Sequence, residues 1–100
     1  MDVVYSVHDV PIRLTAERWY HIVENHDDLA GHYDDVLYTV ENPDVVLRGY
    51  KASLIAARGA GRGRYLCVVY KEIKHVDGFV ISAYFTSQIN RKQILWRRDR

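Results

Sequence analysis

The chain is short of cysteine, holding a single one, Cys67, among 100 residues. One thiol excludes an internal disulfide framework and a cysteine-rich zinc site. Long apolar runs are also missing: no stretch approaches the ~18–20 residues a membrane-spanning helix needs. Met1-Asp2-Val3 lacks the basic start and apolar stretch of a signal peptide. There is no internal repeat, low-complexity stretch or internal linker. Hydrophobic residues at 48% and charged residues at 27% are ordinary for a globular protein and argue against disorder. These observations predict a single cytoplasmic domain over residues 1–100 with a small core and no membrane partner.

A net charge of +1 leaves no global basic footprint. The charge is nevertheless segregated. Residues 1–50 hold 3 Lys/Arg against 10 Asp/Glu, and residues 51–100 hold 11 against 3. One electronegative and one electropositive surface are expected if the halves pack side by side. A basic surface collects phosphates even on a nearly neutral protein. Equally, the halves attract each other across the fold, through surface pairs worth roughly 0–1 kcal/mol each.

The pattern along the chain predicts a strand over residues 3–7, a turn at His8–Pro11 and a short extended piece at Ile12–Leu14. Thr15 is placed to cap a helix over residues 16–26, with Trp19, Ile22, Val23 and His26 at helical spacing. Asp27 and Asp28 open a second helix with Leu29, Tyr33, Val36, Leu37 and Val40 as its stripe, ended by Asn42-Pro43. The remainder reads as β. Val45–Leu47 is a short extended piece, and strands follow at 53–58, 64–72 and 79–87. A flexible glycine loop at 59–63 and a turn at His75–Gly78, signalled by Asp77-Gly78, separate those strands. The expected fold is α+β: two N-terminal helices packed on an antiparallel sheet, in the order β–α–α–β–β–β, with a tail from residue 88.

Several residues could carry chemistry. The glycine-rich GAGRGR stretch (59–64) lacks the Gly-Lys-Ser/Thr ending of a phosphate loop and leads into a strand. It reads as a hairpin loop whose Arg62 and Arg64 either touch an RNA backbone or are simply solvated. His21 and His26, five residues apart, stand about 140° apart around a helix, which disfavours a two-histidine metal pair. His32 and Asp35 lie close together but lack a third ligand, so no metal is expected. His26 falls in the apolar stripe and suits a core histidine at the helix end, whereas His21 lies off that stripe, where simple exposure is the plain alternative. On the last strand Phe79, Ile81, Ala83 and Phe85 form an expected core face, with Val80, Ser82, Tyr84 and Thr86 opposite. If Arg58 shares the face of Tyr84 and Thr86, a cation, a phenol and a hydroxyl converge into a phosphate pocket. A half-exposed sheet face has the same appearance.

The segments RLTAERWYHIVENH (13–26), ENPDVVLRG (41–49), RYLCVVYKE (64–72), FVISAYFTS (79–87) and ILW (94–96) resemble phage-type RelE-like nuclease domains of the barnase–EndoU–colicin–RelE superfamily. The resemblance spans about residues 11–96, with Trp19-Tyr20-His21-Ile22, Asn42-Pro43-Asp44 and Ala83-Tyr84-Phe85-Thr86 as its most specific parts. It implies a RelE-like fold and RNA cleavage without a metal or other cofactor, by attack of a ribose 2′-hydroxyl on the adjacent phosphate. Such chemistry needs a base, an acid and cations for the developing phosphorane charge. The resemblance assigns His21 as base or acid, Arg58 as phosphorane stabiliser and Thr86 as an orienting hydrogen bond. His26, Lys51, Arg62, Arg64, Lys71 and Tyr84 are its substrate-binding candidates.

The expected function is therefore an RNA endonuclease, free or acting on the ribosome, and the toxin of a toxin–antitoxin pair with an antitoxin protein as partner. The alternatives are a non-catalytic RNA-binding module that stacks bases on Tyr65, Tyr70 and Tyr84, or a protein-interaction domain, often a homodimer, using the Ile94–Trp96 tail.

Overall fold

The computed structural model describes residues 1–99, so Arg100 of the expected 1–100 domain lies outside the described residues. The N-terminal segment forms two strands, β1 (Asp2–Tyr5) and β2 (Pro11–Leu14), paired antiparallel. Between them Ser6 gathers the turn. Its hydroxyl accepts from the backbone N–H of His8 and of Val10, and Asp9 takes a positive φ of 64°. The same hydroxyl donates to Glu72 at 2.6 Å, and His8 Nδ1 lies 3.0 Å from that carboxylate, tying the turn to the centre of the sheet.

Helix α1 (Ala16–Asn25) starts where Thr15 accepts from the Arg18 N–H at 3.1 Å, with Glu17 in the first turn. Thr15→Ala should destabilise the protein by about 1 kcal/mol, read as a lowered midpoint in urea with an unchanged slope. His26 closes the helix, and Asp27–Leu29 makes a single 3-10 turn. Gly31, at a φ of 85°, then breaks the chain before α2 (Tyr33–Glu41). The second helix is thus shorter than its apolar stripe suggested, because Leu29 belongs to the separate turn, where it is fully buried. The Tyr33 hydroxyl donates to Asp2 at 2.6 Å and joins α2 to β1. Burial, with the Asp2 hydrogen bond and charge added, pushes that phenol up to about 12.

The rest is strand: β3 (Val45–Arg48), β4 (Leu54–Gly61), β5 (Arg64–Lys74), β6 (Asp77–Thr86) and β7 (Ile94–Arg97). They join the first two in one seven-stranded sheet of order β1-β2-β6-β5-β4-β3-β7. This corrects the expected β–α–α–β–β–β order: two strands precede the helices and five follow. It also corrects the wholly antiparallel, RelE-like sheet, because β2 runs parallel to β6 with Arg13 opposite Phe79. The chain is an α+β domain with a mixed sheet. The extra strands are the four-residue pieces, which complete the sheet at both ends.

Two further expectations change. The glycine stretch is a tight hairpin: Gly61 pairs with Arg64 across Arg62-Gly63, both at positive φ (57° and 71°), as a two-residue turn matched to strand twist requires. The expected His75–Gly78 turn narrows to His75-Val76, with Asp77 and Gly78 already inside β6. A bulge against β5 between Val80 and Ser82 breaks the alternation of β6. Val80 therefore enters the core at 1% exposure, while Phe79 and Ile81, expected there, stay half-buried.

Both helices pack on one face of the sheet, over Ile12, Leu14, Ala56, Leu66, Val68, Tyr70, Val80 and Ala83. The other face carries a smaller cluster of Val45, Leu47, Ala57 and Cys67. The link from β6 to β7 crosses it and lays Ile89 on top. Among the described residues no helix is long and apolar enough to cross a membrane.

Candidate functional site

The face of Arg58 follows from register. β4 pairs with β5 so that Ala56 faces Val68 and Arg58 faces Leu66, and β5 pairs with β6 so that Leu66 faces Phe85. Cross-strand partners share a face, so Arg58 stands on the helix-covered side with Leu66 and Phe85. Tyr84 faces Cys67, which faces Ala57, and these belong to the opposite side. The convergence of Arg58 with Tyr84 and Thr86 therefore does not occur.

On the helix side the sheet opens into a cleft of about 370 Å³ beside the β4–β5 hairpin, lined by His32, Asp35, Arg58, Arg64, Leu66 and Phe85. His32 caps α2 and Asp35 sits one turn into it. Its Nδ1 lies 2.9 Å from Asp35 Oδ2, and its ring stands edge-on to Phe85 with centres 5.3 Å apart. Nε2 has no hydrogen-bond partner among the described residues. Arg58 Nη2 is 3.7 Å from the other Asp35 oxygen, and its Nε donates to Thr39 Oγ1 at 3.3 Å. The guanidinium lies 4.8 Å from the centre of the Tyr38 ring. Thr39 is fully buried and donates to the Asp35 carbonyl at 2.7 Å, so it fixes both the arginine and the helix turn that carries Asp35. The Arg64 guanidinium lies 4.5 Å from the centre of the Phe85 ring, which positions the second cation.

Chemically, this is an oriented imidazole with two cations beside it. With the proton on Nδ1 and donated to Asp35, Nε2 carries the lone pair and acts as a base. Arg58 and Arg64 supply fixed positive charge to an oxyanion, with planar forks suited to phosphate.

The sequence-predicted residues are distributed as follows. Arg58 and Arg64 share the cleft. Tyr84 and Thr86 share a groove of about 180 Å³ on the opposite face, where the Thr86 hydroxyl donates to the Gln88 carbonyl and accepts the Gln88 N–H. His21 is exposed on α1, with Nδ1 3.7 Å from Glu24. His26 closes α1 with its ring centre 6.4 Å from that of Tyr84. Arg62 is at the hairpin tip, and Lys51 sits in the 3-10 turn Tyr50–Ala52 beside the Tyr50 ring. Lys71 faces Phe79 near the far end of β5. His21, Lys51, Arg62 and Lys71 do not line the cleft. The residues that sequence reasoning passed over are His32 and Asp35, weighed only as metal ligands. Their signal is the His-x-x-Asp spacing at a helix start, where positions three apart face each other. Among the described residues no group of three His, Cys, Asp or Glu gathers to hold a metal ion.

Cys67 is fully buried beneath the opposite-face groove, and burial pushes its thiol up to about 11, against a smaller lowering by its hydrogen bond with Tyr84. It should resist alkylation by iodoacetamide at neutral pH in the native protein and react promptly in denaturant. Prompt native reaction would show that the groove opens. Comparison with known proteins gives no matching family model, no matching curated protein and no matching solved structure.

Proposed function

We propose that the chain is a metal-independent RNA endonuclease whose proton-transfer group is His32. The observation that carries this reading is the His32–Asp35 pair at 2.9 Å, in the same cleft as Arg58 and Arg64. His32 Nε2 takes the proton of a ribose 2′-hydroxyl, and the 2′-oxygen forms a bond to the adjacent phosphorus. The phosphorus–O5′ bond breaks, leaving a 2′,3′-cyclic phosphate, and the proton passes from the imidazolium to the departing 5′-oxygen. Arg58 and Arg64 hold the phosphorane charge. Phe85, with Arg64 over its ring, offers a surface on which a neighbouring base stacks. The family resemblance supports RNA as substrate, but this geometry replaces His21 by His32 in the proton-transfer role and leaves Thr86 outside the reaction.

The test is incubation of the purified protein with mixed-sequence RNA in excess EDTA, with end-group analysis. Cyclic phosphate ends that appear with the wild-type chain and not with His32→Ala support the proposal. Salt-sensitive RNA binding with no cleavage, free or on ribosomes, overturns it in favour of a binding module.

A further inference from the structure

The seven-stranded sheet ends at both sides on an unpaired strand edge, β1 at one end and β7 at the other. Protein edges are normally blunted by short length, charge, bulges, proline or a cover. Both edge strands are only four residues long and each carries one charge, Asp2 or Arg97, but neither contains lysine or proline. Each also exposes apolar side chains: Val3 at 47% and Tyr5 at 55% on β1, Leu95 at 52% on β7.

The two edges differ in charge. β1 and the helix α2 that packs on it contain Asp2, Asp34 and Glu41, apart from the Asp35 that faces Arg58 in the cleft, and no lysine or arginine. β7 and the 3-10 turn before it contain Arg91, Lys92 and Arg97 and no acid; Arg98 and Asp99 follow, and Arg98 is held within its own chain by the Asn42 and Pro43 carbonyls, 3.9 Å from Asp44. Strand directions add a geometric condition. β1 is antiparallel to β2, β2 is parallel to β6, and every neighbour from β6 through β5, β4 and β3 to β7 is antiparallel. β1 consequently runs opposite to β7. A second copy set beyond β7 in the same orientation presents its β1 antiparallel, the better of the two pairings per residue.

We infer that the chain associates with itself head to tail, the β1 edge of one copy adding to the β7 edge of the next. Charge selects this arrangement over a two-fold dimer. A dimer through β7 sets the Arg97 end of one copy beside the Arg91-Lys92 turn of the other, and one through β1 sets two acidic α2 neighbourhoods together, whereas the mixed contact puts acid beside base. A heterologous contact that does not close grows into an open chain of copies. Four-residue edges bury little surface, so the contact is weak, concentration-dependent and sensitive to salt. Neither edge lines the His32 cleft, so the inference is independent of the proposed activity.

The experiment is sedimentation velocity over a wide concentration range at low and high salt. The wild-type mass should climb past that of a dimer without a plateau at low salt, and return to that of a monomer at high salt. Val3→Lys blocks the β1 edge and Arg97→Glu the β7 edge. Each variant alone should lose all species above monomer, and their equimolar mixture should form a heterodimer and nothing larger. Circular dichroism checks that each is folded, and Tyr5→Lys with Leu95→Glu is a second pair should either fail to fold. A wild-type monomer at every concentration, a plateau at a dimer, or a mixture that grows past a heterodimer overturns the inference.

Discussion

Alanine at His32 should cost RNA cleavage about a thousandfold, within the range that a positioned acid–base group contributes. The side chain is 40% exposed, so its loss leaves the core intact and the thermal midpoint nearly unchanged. Asp35→Asn should have a smaller effect, because the amide oxygen still accepts from Nδ1 and holds the ring in place. Arg64→Ala removes a cation held by Phe85 and should lower the rate with little change in stability. Arg58→Ala is a poorer probe, since Arg58 also braces Asp35, Thr39 and Tyr38. The decisive contrast is with His21→Ala. Full activity in that variant beside loss in His32→Ala places proton transfer in the cleft. The reverse result returns it to α1 and removes the role given to the His32–Asp35 pair.

Gly78→Ala should be the most damaging small substitution for stability. A β-carbon there would stand 2.5 Å from Ile12 Cδ1, 2.6 Å from the Lys71 carbonyl oxygen and 3.2 Å from the Pro11 carbonyl oxygen. Two of those atoms are backbone and cannot swing aside. The strain falls where β2 meets β6, the joint that attaches the N-terminal hairpin to the sheet. Overpacking of this kind costs about 3 kcal/mol and lowers the thermal midpoint by roughly 15 °C. A midpoint within a few degrees of wild type would show that the β2–β6 joint gives way easily.

The elements most legible in the sequence were those long enough to carry a period. β5 spans eleven residues and β6 ten, and both show their β-branched and aromatic character directly. Helix α1 announced itself through Thr15, Glu17 and the Trp19–Ile22–Val23 spacing. Of the four-residue strands, β1 was read as a strand, but β2, β3 and β7 were not legible as sheet members, because so short a piece has no periodicity and takes its identity from a neighbour. Ile94–Arg97 is a strand because β3 offers it an edge. The parallel β2–β6 contact left no local trace, being a matter of how distant segments meet. The bulge in β6 moved Val80 inward and Ile81 outward, which strict alternation could not foresee. At the site, Arg58 and Arg64 stood out as basic residues on neighbouring strands. The sharing of their cleft with His32 and Asp35 depends on how α2 lies across β4 and β5, and the chain encodes that only through the whole core.

The path of the chain through the sheet bears on how the protein is made. Two of the pairings join segments far apart in sequence, Arg13 with Phe79 and Val45 with Arg97. Closing such long loops is entropically unfavourable and slows folding relative to helical domains of similar size. During synthesis the hairpin of β1 and β2 must wait for β6 to emerge, and β3 keeps a bare edge until β7 has emerged. For most of its translation the nascent chain therefore exposes unpaired strand edges, and it is then that the protein depends most on chaperones.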